Sequence, residues 1–233
     1  MKLFVMAAPI VLSATALLAD TAQERLNDSA RVLSEIMRTP DRGIPQDLLA
    51  KAQCMIIIPG VKKAAFVVGG EYGRGFAVCR SGSRGWGAPA AIKLEGGSVG
   101  LQLGGSSTDV VMLVMNDRGM NRLLEDKFTL GADASVAAGP VGRTAQAETD
   151  AKMSAEILAW SRSKGLFAGI ALDGASLRTD QERNAELYGR KMNNREVLMG
   201  NVKRPDAAKP LIAELDRYSG HKETNADRSV KDQ

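Results

Sequence analysis

The chain of 233 residues contains a single histidine, His221, so the side chain used most often as a general base is nearly absent. His221 lies in the polar segment SGHKETNADRSVKDQ, and a Ser-His-Asp or Cys-His arrangement would require that segment to fold back over the body of the protein. Ser161 or Ser163 could instead act with Lys164, but SRSKG lies between two strand-like runs and is typical of a solvated turn. The sequence therefore predicts no catalytic residues and a protein that is not an enzyme.

Aromatic residues make up only 4% of the chain, and lysine and arginine occur singly or in pairs. Binding of nucleic acid calls for clustered cations interleaved with exposed rings, so we expect no nucleic-acid partner. The glycine-rich segment GGEYGRG lacks the Gly-Lys-Ser/Thr of a phosphate loop, and GGSVGLQLGG lacks the strand-then-helix setting of a dinucleotide site. We expect no cofactor.

Metal-binding residues are equally sparse, since the two cysteines and one histidine are far apart in sequence. That set does not form the closely spaced ligand pattern of a zinc site. The carboxylates of Asp109, Asp133 and Asp173 lie near turns and leave a cation site open as an alternative. Turn and cap hydrogen bonds account for such residues without a metal, so we predict no metal site.

Long hydrophobic runs are missing except over residues 1–19, MKLFVMAAPIVLSATALLA. One early lysine, an apolar run and the small residue Ala19 form the layout of a secretory signal peptide. A membrane anchor and a buried helix are the alternatives, but the run is shorter than the roughly 20 residues of a spanning helix and Pro9 interrupts it. We expect cleavage near Ala19 and a periplasmic or secreted protein. Loss of Lys2 with this segment lowers the formal charge of +4 by one, which leaves a mildly basic chain.

The two cysteines, Cys54 and Cys79, each lie in a segment with strand character. In an oxidising compartment an even number of cysteines indicates a bridge, and neighbouring strands bring Cα atoms within the ~4.4–6.8 Å that a disulfide spans. Export therefore predicts a Cys54–Cys79 disulfide, with two free buried thiols as the alternative.

Helical patterns occur near the start, in the middle and near the end of the chain. Thr21 and Glu24 have the spacing of a capping box, and apolar residues recur behind them at helical intervals, which predicts an amphipathic helix over 22–38. This pattern favours packing against the domain, and contact with a membrane surface is the alternative. Shorter helices are predicted over 45–51, 118–127 and 209–218, and over 179–188 behind a second capping-box pair, Thr179 and Glu182.

Between these helices the chain consists of β-branched runs separated by glycine, including CMIIIP, GFAVCR and DVVMLVMN. Such runs predict strands, and their short connections indicate an antiparallel meander because parallel neighbours need long crossovers. Further strand character follows in FTLGADASVAAG, AEILAWSRS and GLFAGIALDGA, whereas MIIIP lacks alternation and should be covered on both faces. The expected fold is a single α+β domain over 20–218, with a strongly curved antiparallel sheet (a meander or partial barrel) flanked by helices. Residues 219–233 form a polar tail with the composition of disordered chain.

The chain resembles the SYLF domain family, a lipid-binding or actin-binding domain, in four segments that occur in the same order. These are VGGEYGRG, GGSVGLQLGGSSTDVVMLVM, LGADASVAAGPVG and WSRSKGLFAGIALDGASLRTDQERNAELYG, and the likeness runs from about Arg25 to Tyr218. The secretory start and the lack of a second domain resemble the bacterial stand-alone members.

The resemblance implies a binding module without catalysis, whose eukaryotic members bind phosphoinositides and in some cases actin. Lipid binding is carried over, and we expect anionic phospholipid or phosphoinositide-like headgroups at the bacterial envelope as the ligand. Actin is not expected to meet an exported bacterial protein. A periplasmic protein-interaction or scaffolding module, with an envelope protein as partner and no direct lipid contact, is the alternative. In the family, lipid contact is associated with an N-terminal amphipathic helix and basic residues, and the candidate lipid-binding residues here are Arg25, Arg31, Lys62, Lys63, Arg74 and Lys164.

The segment LGADASVAAGPVG, residues 130–142, contains almost nothing larger than valine around one carboxylate, Asp133. Small side chains allow close backbone approach, which predicts tightly packed strand and turn. With the family resemblance, this segment is interpreted as a strand that crosses closely over its neighbours, with a turn at Gly139 and Pro140. Asp133 is then expected to bond nearby backbone N–H groups, and coordination of a cation with Asp109 or Asp173 is the alternative.

Overall fold

The structure is a computed structural model and describes residues 20–39, 43–65, 68–82, 85–99, 104–141, 154–163, 165–170 and 172–219. The predicted signal segment, residues 1–19, and residues 220–233 of the predicted tail lie outside these ranges. Ser219, assigned to the tail above, is instead the last residue of a helix. Its hydroxyl accepts a hydrogen bond from Trp86 Nε1 at 2.7 Å and donates to the Leu215 carbonyl at 2.5 Å, which holds this helix end against the body.

Within the described ranges, nine strands form one sheet. In chain order they are β1 (Cys54–Ala65), β2 (Val68–Cys79), β3 (Ala90–Val99), β4 (Gly104–Val114), β5 (Lys127–Thr129), β6 (Val136–Ala138), β7 (Ile157–Ser163), β8 (Leu166–Gly169) and β9 (Ser176–Thr179). Their spatial order is β5-β9-β3-β2-β1-β4-β7-β6, and β8 pairs with β7. Every pair is antiparallel except β6 with β7, which runs parallel.

The sheet is strongly curled, like half of a barrel, and a short segment of chain joins its two edges. β5 ends at Thr129 on one edge, and β6 begins at Val136 on the opposite edge. Residues 130–135 make this crossing, and seven Cα steps reach at most about 25 Å. The chain therefore arrives at β7 from the far edge rather than by a hairpin, which gives the parallel pair. The predicted α+β class with a curved sheet is confirmed, with the β6–β7 pair as the departure from antiparallel order. The sheet has the predicted form of a partial barrel rather than a meander, because β1 lies between β2 and β4.

Both faces of the central strands are covered. On β1, Ile56 and Ile58 point into the concave face while Met55 and Ile57 point to the convex face, and each is at most 1% exposed. The predicted double coverage of MIIIP is confirmed. Three helices cover the convex face: α1 (Ala22–Met37), α2 (Gln46–Lys51) and, near the end of the described chain, α6 (Lys209–Ser219).

Helix α1 begins at a capping box, in which the Glu24 N–H donates to Thr21 Oγ1 at 3.1 Å and the Thr21 N–H donates to Glu24 Oε2 at 2.8 Å. Leu26, Leu33 and Ile36 are buried against the convex face of the sheet. The helix predicted over 22–38 is confirmed, ending one residue earlier, and so is its interpretation as a packing helix. Its apolar face is consequently not open to a membrane.

The remaining helices are α3 (Asp117–Leu123), α4 (Gln181–Tyr188) and α5 (Asn194–Leu198). The helix predicted over 118–127 is too long, because Lys127 already pairs in β5. The second predicted capping box, Thr179 with Glu182, is wrong: Thr179 belongs to β9, and Asp180 alone caps α4 by accepting from the Arg183 N–H at 3.3 Å. Helix α5 has its own capping box and was not predicted.

A disulfide joins Cys54 and Cys79, with an S–S distance of 2.09 Å. The two residues are directly opposite each other on β1 and β2, so the register of these strands brings the sulfurs together. The predicted bridge is confirmed. Among the described helices, none has both the length and the apolar composition needed to cross a bilayer.

Candidate functional site

Four cations lie in one row across four neighbouring strands of the sheet. The register places Arg74 of β2 opposite Lys93 of β3, Lys93 opposite Arg178 of β9, and Arg178 opposite Lys127 of β5. Neighbouring strands are about 4.8 Å apart, and directly opposed residues share a face. These four residues are called the cation ladder below.

The ladder faces the convex side because its members alternate with buried residues along each strand. Phe76, two residues beyond Arg74, packs among the convex helices, whereas Leu94, Leu177 and Phe128 are chain neighbours of the other rungs and are buried in the concave core. Side chains of successive strand residues point to opposite faces, so each buried concave neighbour sends its cation outward. The ladder is therefore a direct product of strand alternation and register.

Like charges directly opposed across strands repel, so the ladder needs counter-ions. The fully buried carboxylate of Asp180 supplies one, at 3.4 Å from Arg74 Nε and 3.5 Å from Lys93 Nζ. Glu95 pairs with Arg178 at 3.2 Å. Lys127 forms no ion pair with any other residue in the described ranges. The ladder thus keeps positive charge toward its β5 end.

Two further residues extend the ladder at its β2 end. Arg25 of α1 donates from Nη1 to the Arg74 carbonyl at 3.0 Å and pairs with Asp20 at 2.5 Å. Tyr72 is 42% exposed, accepts a hydrogen bond from Arg74 Nε through its hydroxyl, and lies under the Arg74 guanidinium at 5.7 Å. Burial opposes the charge of Arg74, but the Tyr72 bond and the nearby Asp180 raise its pKa, so it stays charged. An exposed aromatic ring therefore lies directly beside the cations.

The predicted lipid-binding residues fall into three groups. Arg25 and Arg74 come together at the ladder, and Lys62 is exposed on the same face, directly opposite Tyr72. Lys63 points to the other face and pairs with Glu71 at 2.9 Å. Arg31 lies on α1 and is engaged locally, at 2.7 Å from Asp28 and 3.6 Å from Glu35. Lys164 lies outside the described residues.

The remaining rungs, Lys93, Arg178 and Lys127, were missed from the sequence. Their signal was present, since each alternates with apolar residues in IKL, LRT and KFT. Alternation gives the face of a strand but not its neighbours, and β9 and β5 join the sheet beside β3 only through long-range pairing. The row becomes visible only when the register is known.

Two of the three carboxylates considered as cation ligands, Asp133 and Asp109, bond protein groups. Asp133 Oδ2 accepts from the Thr129 N–H at 2.7 Å, as expected for a structural turn acid. Asp109 accepts from the Gly60 N–H at 2.9 Å and from Arg162 Nη2 at 2.7 Å. Within the described ranges, no group of three or more potential metal-binding side chains converges.

The structure is a curled α+β sheet domain with a row of cations on one face. The chain belongs to the Ysc84 family: the family model, described as Las17-binding protein actin regulator, matches residues 95–218. The SYLF resemblance seen in the sequence is thereby confirmed.

Curated relatives match over most of this chain. Protein YSC84 of Saccharomyces cerevisiae is 36% identical over 179 residues, which cover 76% of this chain and 38% of the relative. SH3 domain-containing YSC84-like protein 1 of Bos taurus is 33% identical over 200 residues, covering 83% of this chain and 58% of the relative. LAS seventeen-binding protein 3 of Saccharomyces cerevisiae is 34% identical over 196 residues, covering 82% and 42%. The chain therefore spans between 38% and 58% of the length of these relatives.

Proposed function

We propose that this protein is a non-enzymatic module that binds anionic phospholipid surfaces through the cation ladder. The observation that carries the proposal is the row Arg74, Lys93, Arg178 and Lys127, four like charges in register on one sheet face, of which Arg178 and Lys127 are exposed. Asp180 and Glu95 partly offset the first three charges, so a ligand with phosphate groups would supply the counter-ion that Lys127 lacks among the described residues. The ligand class is a phosphate-bearing headgroup.

Simple energetics set the strength expected of this contact. A basic residue near an anionic bilayer contributes about 1 kcal/mol, so four rungs give about 4 kcal/mol, or a Kd of about 1 mM. Such binding is reversible and sensitive to salt. Tyr72 adds an aromatic ring of the kind enriched at membrane interfaces, and several copies on one vesicle would add avidity.

We propose a periplasmic or secreted location, which would bring the ladder to the bacterial envelope. The disulfide supports this proposal, because such bridges persist in oxidising compartments. Expression of the full chain followed by cell fractionation tests it. Loss of residues 1–19 from a periplasmic form, measured as intact mass, is the expected result, and an intact chain retained in the cytoplasm would contradict it.

Vesicle co-sedimentation tests lipid binding. Wild-type protein should pellet with phosphatidylglycerol vesicles at 50 mM salt, release as salt rises, and stay in solution with phosphatidylcholine vesicles. Lys127→Gln/Arg178→Gln removes two exposed rungs and should weaken binding about thirtyfold, from the loss of about 2 kcal/mol. Lys51→Gln/Arg118→Gln removes the same charge elsewhere on the surface and should bind almost as the wild type does.

The outcomes separate the possible phosphate sources. Displacement of the protein from vesicles by millimolar glycerol phosphate would indicate a site for a free headgroup rather than a surface. Equal losses in both double variants would overturn the ladder as the binding site. No binding to any vesicle would overturn lipid binding itself.

A protein-interaction module is the second candidate function, and the family description favours it. The family description reads Las17-binding protein actin regulator. One relative is named LAS seventeen-binding protein 3, and another, Protein YSC84, shares the name of the family. The expectation that actin is not a partner rests on export alone. Co-sedimentation with filamentous actin, run beside the vesicle assay, is the direct comparison between the two candidates.

A further inference from the structure

A second basic surface begins where α4 ends, on the chain that leads to α6. It carries the cations Arg190, Lys203, Arg204 and Lys209, which line two neighbouring depressions and which we call the basic face. Glu196 pairs with Arg190 at 3.3 Å and Asp206 pairs with Lys209 at 2.8 Å. Lys203 and Arg204 form no ion pair with another described residue, so the basic face keeps an excess of positive charge.

Two depressions flank residues 203–206 on this face. One has a volume of about 550 Å³ and includes Leu187, Met192 and Val202 in its lining. The other has a volume of about 480 Å³ and includes Ala208 and Ile212. Lys203 and Arg204 border both depressions, so each apolar hollow lies directly beside cations.

The ridge between the depressions is anchored to the body of the protein. Arg204 Nη1 donates to the Trp86 carbonyl at 3.3 Å, and Tyr188, which lines the larger depression, donates its hydroxyl to the Pro89 carbonyl at 2.6 Å. Burial raises the pKa of Tyr188, so this hydroxyl keeps its proton and its bond. The hollows are therefore present before any ligand binds, and the four cations that line them outnumber the two carboxylates there, Asp206 and Asp216.

The combination of cations and neighbouring hollows favours one class of anionic partner over others. A flat bilayer would meet the rim but leave both hollows unfilled. A nucleic acid would need exposed rings for stacking, and Tyr188, the aromatic residue in the lining, is half-buried. A peptide with carboxylates and apolar side chains satisfies both features, because its charges face the cations and its apolar groups fill the hollows.

We propose that the basic face binds an acidic linear segment of a partner protein, whose apolar side chains occupy the depressions on both sides of residues 203–206. This deepens the protein-interaction candidate above and is independent of the cation ladder. The proposal is tested with a fluorescein-labelled peptide of aspartate and glutamate containing two leucines, and with the same peptide carrying serine in place of both leucines. Fluorescence anisotropy should show the serine peptide binding at least tenfold more weakly.

Lys203→Glu/Lys209→Glu reverses two exposed charges of the basic face and should weaken binding of the leucine peptide at least tenfold. Lys51→Glu/Arg118→Glu changes the net charge equally at exposed sites elsewhere and should leave affinity within about twofold. Thermal unfolding verifies that both variants are folded. Methyl NMR locates the peptide independently of any variant, since shifts should appear at Met192 and Ile212 and be absent at Leu166.

Three results would overturn the proposal: absence of binding by the wild type, equal affinity for both peptides, or equal losses in both variants. The vesicle assay distinguishes binding at the basic face from binding at the cation ladder. Lys203→Glu/Lys209→Glu should retain vesicle binding, and Lys127→Gln/Arg178→Gln should retain peptide binding. If the basic-face variant lost vesicle binding and kept peptide binding, the surface would be a lipid site instead.

Discussion

At the scale of single residues, close packing around Trp160 explains why the 130–142 segment is so small. The indole Nε1 donates to the Pro140 carbonyl at 3.0 Å, and a Cβ at Gly139 would lie 2.0 Å from the ring. A Cβ at Gly169 of β8 would lie 2.2 Å from the Gly139 carbonyl oxygen. Because both residues are glycine, the two backbone segments and the indole can pack in direct contact.

Gly139→Ala should lower the free energy of unfolding by about 2–3 kcal/mol, because the buried indole cannot move away from the added methyl group. Gly97→Ala is the matched control, since a Cβ there has no neighbour within 4 Å. Its stability should stay within about 0.5 kcal/mol of the wild type. Urea denaturation measures both, and a Gly139→Ala protein as stable as Gly97→Ala would contradict this packing account.

At the scale of elements, α1 is fixed at both ends by carboxylates. Glu24 closes the capping box, and Glu35 pairs with Arg162, which also bonds Asp109 of β4. The hydrogen bond from Arg162 lowers the pKa of Glu35 from its ordinary 4.5, and the bonds from Thr21 lower that of Glu24. Glu35 attaches the helix to the sheet and Glu24 caps its start, and both groups lose their charge only in acid.

The Glu35 contact should make stability depend on pH. Since its folded pKa lies below 4.5, its contribution is complete above that pH and is lost as pH falls through the folded pKa. Glu35→Gln should lower Tm by about 1–2 °C at pH 7, in keeping with about 0.5 kcal/mol for a partly exposed pair. The difference from wild type should shrink between pH 5 and 3.

Thermal scans across that range measure the effect. Glu125→Gln, which removes an exposed pair with Arg122, provides the comparison and should barely alter Tm. A Glu35→Gln deficit that persisted unchanged at pH 3 would show that the side chain acts through packing rather than charge.

Local patterns predicted these elements well, and long-range pairing limited the prediction of the site. The Thr21–Glu24 spacing gave the start of α1, and the unbroken MIIIP run gave a strand covered on both faces. Thr179 was misassigned as a helix cap because SLRT carries only four residues of strand signal before Asp180 caps α4. Arg74 was found as a candidate, but its ladder partners depend on β9 and β5, whose positions follow from tertiary packing.

At the scale of the whole molecule, the Cys54–Cys79 bridge closes a loop across the two central strands. Its sequence separation of 25 corresponds to about 3 kcal/mol of stabilisation through the unfolded chain. Reduction by dithiothreitol should therefore lower the free energy of unfolding by about that amount. Cys54→Ala/Cys79→Ala should show reduced stability that dithiothreitol no longer changes, as measured by urea denaturation in both redox conditions.

The terminal strands of the sheet affect how readily copies of this protein can associate edge to edge. The terminal strands β5 and β6 have three residues each, and β8 has four. A strand from another molecule that approached β5 or β6 would find only a few open backbone groups there, too few to start an extended cross-molecular ladder. Copies held at high local concentration are thus less prone to fuse into fibrils through these terminal strands.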